Sequence, residues 1–292
     1  MTKKRSILSR FFYSGRNDSP FKRILIHAAL IGYCVITLYP VLRIFTISIR
    51  PGDRLLSTSL ALIPADATLE SYRMVLFEKP LVQWLWNSLA ITMATAAIGV
   101  ILAATSAYAF SRFKFPGRSL GLVFLLTTQM IPAAMMMVPL YILAIRLGVV
   151  GTYRGLVIAY AVTAVPFSIW ILKGYYDTIP FDLEEAAMLD GCTQLQAFWK
   201  VLLPLSSPAL AIVFLFNFMN AWNDYMLARV MLGSQEGLMT WTLGIQRLHA
   251  QFQTLWGQFS AASILVAIPV VALFLYTSKY LISGLTLGSV KG

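Results

Sequence analysis

The 292-residue chain is 58% hydrophobic and only 12% charged, with a mean hydropathy of +0.73. Soluble domains run nearer about 45–50% apolar and about 25% charged, so this chain has too few charges to coat a soluble globule of its size. A soluble enzyme, a disordered tail and a secreted disulfide scaffold are excluded, and the net charge of +11 fits loops that gather Lys and Arg on one membrane face better than a nucleic-acid partner.

Six apolar runs meet the length of a membrane-spanning helix: roughly 24–48, 85–110, 120–145, 155–172, 208–232 and 260–283. The reading is an all-α, polytopic membrane protein with six transmembrane helices. Residues 1–23 form a basic N-terminal segment carrying seven Lys and Arg against one acid, Asp18. The run after Arg23 is too long for a signal peptide and ends in bulky residues, so it reads as a retained first span. Alternate loops, together with both termini, hold 14 Lys and Arg on one face and 8 on the other, which predicts that both termini are cytoplasmic. Pro40, Pro132, Pro139, Pro166 and Pro269 fall within spans, where they bend helices. Trp84, Trp86, Trp170 and Trp256 sit near predicted ends as interfacial anchors. Arg43 lies near the outer end of the first span, where it can snorkel to the interface or line the pathway.

The segment 173–207 holds five of the twelve acids and projects a structure that a mere connection would not need. Asp182 reads as an N-cap with Glu185 three residues later, as in a capping box. A helix starting there stops at Gly191, a residue suited to a left-handed C-terminal position. A second short helix, about 193–202, breaks before Pro204. Two short helices around a sharp turn make a rigid knob.

Chemistry is otherwise sparse. The sequence contains no G-x-x-x-x-G-K-[ST], so it cannot itself cradle ATP phosphates, and no H-E-x-x-H. Its only histidines are His27 and His249, which makes a histidine metal site improbable. The spans hold too few carboxylates for a self-sufficient ion-coupled carrier, so energy should enter from outside the chain. The most polar stretch in a span, 217–225, offers Asn217, Asn220, Asn223 and Asp224 beside Trp222. Amides and a ring face suit sugar hydroxyls and C–H groups, and positions 217, 220 and 224 fall on one helix face. Hydrogen bonding between helices is an equally good use of them.

Glu185-Ala186-Ala187, three residues, Gly191, nine residues and Val201-Leu-Leu203-Pro204 resemble the EAA motif of ABC importer permeases, with Val201 in place of Ile. Trp84-Leu-Trp-Asn-Ser88, Tyr108-Ala-Phe-Ser-Arg112, Phe115-Pro-Gly117, Leu172-Lys-Gly-Tyr-Tyr176 and the last nine residues, 284–292, are similar to the carbohydrate branch of that family, the small permeases of maltose/maltodextrin-type transporters. The resemblance implies a type I importer permease fold, residues 24–283, in a bacterial or archaeal cytoplasmic membrane. It implies that Glu185, Ala186, Ala187, Gly191, Leu203 and Pro204 form a coupling helix and its support, docked on an ATPase. It also implies a second, homologous permease, a homodimeric cytoplasmic ATPase holding ATP and Mg, an extracytoplasmic sugar-binding protein, and a C-terminal tail, 284–292, reaching the ATPase. The outer stretch 233–259, with Arg247, Gln251 and Trp256, is implied to meet the binding protein. The substrate is expected to be a maltodextrin-type sugar. Trehalose, glycerol phosphate or another glycoside remain open, as does, more remotely, a self-sufficient carrier.

Overall fold

In the computed structural model, residues 20–53, 55, 61–233, 235–248 and 254–287 are described, and they form helices with no strand among them. The basic segment 1–19, Gln251 and the tail beyond Leu287 lie outside the described residues. Helix α1 spans Pro20–Ser48. A short helix at Glu70–Arg73 runs into a π turn at Met74–Glu78. Helix α2 is Leu81–Arg112, longer than the 85–110 run at both ends. Helices α3, Arg118–Gln129, and α4, Ala133–Arg146, follow. Helix α5 is Tyr153–Tyr176. The knob contains α6, Asp182–Leu189, and α7, Gln194–Ala197. Helix α8 is Ser207–Asn223, α9 is Met226–Leu232, α10 is Trp241–Ile245, and α11 is Trp256–Leu287. Helix α11 therefore continues into the stretch read from sequence as tail.

Four helices, α1, α2, α5 and α11, are each long and apolar enough to cross a membrane, and two bent pairs raise the number to six. The bends are sharper than prolines within continuous spans suggested. The 120–145 run turns by 105° between α3 and α4. Pro132 lacks the N–H that would continue α3 and instead starts α4. Ahead of it the ladder tightens, with Met130 N donating to Thr127 O (3.1 Å) and Ile131 N to Thr128 O (3.4 Å). The 208–232 run also breaks, since Asp224 leaves helical geometry (φ −72°, ψ 134°) between α8 and α9. A further 77° bend separates the segment 194–205 from α8.

Helix α2 is the central post. Ser88, Thr92, Ala96, Gly99, Ala103 and Ala107 recur every three or four residues and are buried. Small side chains at that spacing let α5 and α8 approach closely. A Cβ at Gly99 would lie 2.6 Å from Asn217 Nδ2 on α8. One apolar core lies towards the first end of α2, where Leu81, Trp84, Ile91, Leu156, Phe218 and Trp222 meet. A second, around Ala107, Tyr108, Leu172, Tyr176, Phe198 and Leu202, lies at the knob end.

The stretch 235–248 folds back as a plug over the first end of α2 rather than standing clear. Asn87 Nδ2 donates to the carbonyls of Gly237 (3.0 Å) and Met239 (2.9 Å). The Trp241 N–H donates to Ser88 Oγ (2.7 Å), and Trp241 Nε1 to Trp222 O (2.8 Å). Trp84 is only 2% exposed and packs under Gly244, so it is a core residue and not the interfacial anchor its position suggested. Trp86, 68% exposed, remains free for that role. Helix α1, by contrast, buries nothing of its most apolar window and only Thr46 and Ser48 near its end.

A Cβ at Gly244 would lie 2.0 Å from the Trp84 ring, whereas one at Gly237 meets nothing closer than 4.0 Å. Gly244→Ala should therefore cost about 1–3 kcal/mol of stability by overpacking. The check is thermal unfolding in detergent against Gly237→Ala, which should unfold close to wild type; equal midpoints for the two would contradict the plug's tight seat.

Candidate functional site

The knob is built from local rules at every step. Helix α6 begins at Asp182, but its N-cap is Phe181 and no side chain caps it. The N–H groups of Glu184 (2.9 Å) and Glu185 (3.1 Å) both donate to Phe181 O. The expected capping box of Asp182 with Glu185 is thus not formed, because Asp182 already lies inside the first turn. Three acids in that turn face the positive helix end. At the other end Gly191 takes φ +94°. Cys192 N donates to Ala187 O (3.0 Å) and Gly191 N to Met188 O (3.1 Å), the paired bonds of a Schellman turn, as the glycine predicts.

The second helix starts at a capping box missed from sequence, although Thr-x-x-Gln was its signal. Thr193 Oγ1 accepts from Gln196 N (3.3 Å), and Gln196 Oε1 accepts from Thr193 N (2.9 Å). Helix α7 does not stop before Pro204. It widens into a π turn, Phe198–Leu202, and continues through Leu203–Leu205. Pro204 has no N–H for the ordinary ladder, and the wider turn accommodates its ring. The true break is at Ser206, which bonds back to Leu202 O (2.9 Å) and Leu203 O (3.0 Å).

Of the motif residues, Glu185, Ala186, Gly191 and Pro204 are exposed, while Ala187 and Leu203 are half-buried. The knob also exposes large apolar side chains: Leu183, Leu189, Leu195 and Trp199, with Leu189 89% exposed. Adjacent helix positions point about 100° apart, so Glu184 and Glu185 cannot share a direction. Glu184 turns inward and is 1% exposed. Its Oε1 accepts from Arg112 Nε, at the last residue of α2, over 2.6 Å. Arg112 Nη2 donates to Ile179 O (3.0 Å) and Nη1 to Ser111 Oγ (3.3 Å), and its guanidinium lies 5.7 Å from the Phe181 ring centre. The two residues are 72 positions apart in sequence, and although Arg112 ends the string 108–112, no sequence pattern pairs it with Glu184. Beside it Ser111 donates to Asp177 Oδ1 (2.7 Å), and Lys173 pairs with the same carboxylate. Burial alone would raise the Asp177 carboxyl, but the Lys173 and Ser111 hydrogen bonds outweigh it and hold it below the usual carboxylate range.

Asn217, Asn220 and Asp224 do not line one face, and Asn223 stands apart from them. Asn217 is buried, accepts from Ser168 Oγ (3.0 Å) and sits against Gly99, tying α8 to α5 and α2. Asn220 and Asn223 are exposed, and Asn223 Nδ2 donates to Met219 O (2.9 Å) of its own helix. Asp224 Oδ1 accepts from Tyr160 OH (2.9 Å) and from Ala228 N (3.0 Å), so it caps α9. The helix break at Asp224 is what ends the expected alignment. On the plug, Arg247 pairs with Glu236 (2.6 Å) at the surface, and Trp256 is half-buried at the start of α11, edge-on to Phe259.

Comparison with known proteins adds an independent line. Residues 96–283 match the family described as binding-protein-dependent transport system inner membrane component. Maltose/maltodextrin transport system permease protein MalG of Salmonella typhimurium is 38% identical over 290 residues, covering 92% of this chain and 96% of that one. An inner membrane ABC transporter permease protein of Escherichia coli, YcjP, is 34% identical and covers 94% and 99%. A chain in the crystal structure of a bacterial ABC transporter involved in the import of the acidic polysaccharide alginate superposes with a TM-score of 0.77 at 26% identity, covering 96% of this chain and 99% of that one.

A Cβ at Gly191 meets nothing within 4 Å, so the penalty of substitution there is purely conformational. Gly191→Ala should weaken the turn by about 1–2 kcal/mol. Faster proteolytic nicking between α6 and α7, with the rest of the chain protected as in wild type, is the expected readout.

Proposed function

This chain belongs to the binding-protein-dependent transport system inner membrane component family, and from that premise we propose that it is the membrane permease subunit of an ATP-driven importer of maltose/maltodextrin-type sugars. The observation that carries the reading is the knob. It presents exposed Leu183, Leu189, Leu195 and Trp199 around a fixed turn, and an apolar, rigidly mounted projection fits a cleft in a partner protein. In the family that partner is a homodimeric cytoplasmic ATPase, which holds ATP and Mg. Glu185, exposed beside the apolar patch, is assigned to a basic group there. The chain has no phosphate-cradling loop of its own, so hydrolysis belongs to the ATPase.

The knob side of the membrane, with both termini, is assigned to the cytoplasm. Residues 24–283 form the pore-building domain together with a second, homologous permease. Helix α1, whose apolar surface the rest of the chain leaves uncovered, is available to lipid and to that partner. The plug faces the sugar-binding protein, and Arg247, Gln251 and Trp256 are assigned to that contact. Asn220 and Asn223, whose amides stay accessible, are assigned to the sugar pathway, and Asn217 and Asp224 to holding its wall. Closure of the ATPase dimer moves the knob and shifts the pore between inward- and outward-open populations, with no covalent chemistry in this chain. A second substrate reading, another glycoside or an acidic polysaccharide, is favoured only by the alginate-importer neighbour.

Tagging the chain in its native membrane should recover a second permease and a P-loop ATPase. Recovery alone or as a homo-oligomer, under conditions that keep known complexes intact, would overturn the reading. Gly191→Arg and Glu185→Lys should each reduce maltodextrin uptake at least tenfold with normal membrane levels. Wild-type uptake by Gly191→Arg would remove the coupling role.

A further inference from the structure

We infer that Arg112 and Glu184 are positioning residues that clamp the coupling helix α6 to the end of α2, so that α2 carries the displacement of α6 to the outer plug. The inference rests on the importer reading above. It is carried by the two ends of one helix. At the knob end Arg112 holds three things at once: the Glu184 carboxylate on α6, the Ile179 carbonyl in the α5–α6 connection, and the Ser111 hydroxyl that reaches Asp177. A guanidinium is suited to this because its donors form a rigid, planar fork. At the other end Asn87 and Ser88 hold the plug through Gly237, Met239 and Trp241. From Asn87 to Arg112 the helix rises 25 residue steps, about 37 Å, without a break. Helix α2 contains no proline and is continuous from Leu81 to Arg112, unlike the α3–α4 pair.

The clamp is a poor device for stability alone. Arg112 and Glu184 side chains are 7% and 1% exposed. The hydroxyls of Tyr108 and Tyr176 are buried beside the same carboxylate, and among the described residues Glu184 Oε2 makes no hydrogen bond of 3.5 Å or less. Burying charge and leaving polar atoms unpaired is costly, and apolar residues of similar volume would hold such a junction as well or better. What an apolar cluster cannot supply is a directional tie that makes α6, the α5–α6 connection and α2 move as one body. A weakened tie lets α6 follow the ATPase while α2 stays behind, which separates hydrolysis from transport.

The test uses the assembled complex, with this chain co-expressed with its partner permease and ATPase, and reads sugar uptake per ATP hydrolysed. The variant Arg112→Met/Glu184→Leu replaces the pair with apolar side chains of similar size. It should reach the membrane, recover the ATPase in a pull-down and hydrolyse ATP, yet import at least tenfold less sugar per ATP. Glu184→Gln, which keeps an acceptor for Arg112, should stay within about threefold of wild type. Wild-type uptake per ATP in the apolar variant would overturn the inference. So would uptake that falls only in proportion to the complex recovered, or absence of both variants from the membrane, since either makes the pair a folding contact. Failure of the wild-type chain to recover any ATPase would instead strike the importer reading itself.

Discussion

Close approach of helices along one face of α2 is the constraint on which the other features depend. Lipid is as apolar as a leucine side chain, so burial from water cannot drive these helices together. Van der Waals packing and interhelical hydrogen bonds must do so, and both require near contact. The buried row from Ser88 through Gly99 to Ala107 provides it. Gly99 admits Asn217 so closely that even a methyl group has no room, and Asn217 in turn takes the Ser168 hydroxyl. Polar ties of this kind are worth about 0.6–2 kcal/mol each inside a membrane. They add specificity to a three-helix junction whose geometry is set by small side chains.

From that post the molecule builds outward in two directions. One end is closed by a plug whose backbone carbonyls find Asn87 and whose Gly244 lies flat on Trp84. The other is closed by a charged network on the knob, with Lys173, Asp177, Ser111, Arg112 and Glu184 linked in series. The knob exposes apolar side chains while its polar interior faces its own helices. That inversion is what the docking role proposed above requires, since a docking element needs a fixed mount more than it needs a polar exterior.

How much was legible varies with the range of the interaction. The turn at Gly191 was readable because its cause is local: only a residue tolerant of positive φ closes such a helix end. The runs behind α1, α2, α5 and α11 were readable because a bilayer thickness demands a known number of apolar residues. The 120–145 run and its bend at Pro132 were readable, but the size of that bend, 105°, was not, because hydropathy averages over a proline break. Trp84 was misjudged because an aromatic near a span end has two uses, and the returning plug decided between them. The EAA motif drew attention to Glu185, but the glutamate before it carries the buried tie. Its partner lies on another helix, beyond the reach of any spacing rule.

The sequence by itself determined the class of molecule and its relation to the membrane. Composition, apolar run length and glycine chemistry act over at most a few tens of residues, and each has one physical solution. It determined the presence of a knob and, through the motif spacing, its kinship. The tertiary structure alone decided which polar side chains face inward. Asn217 became a helix tie, Asp224 a cap, and Glu184 the anchor of the knob. The physical reason is that a buried polar group is costly without a partner, and the partner's direction depends on how separate helices pack, which no local pattern records.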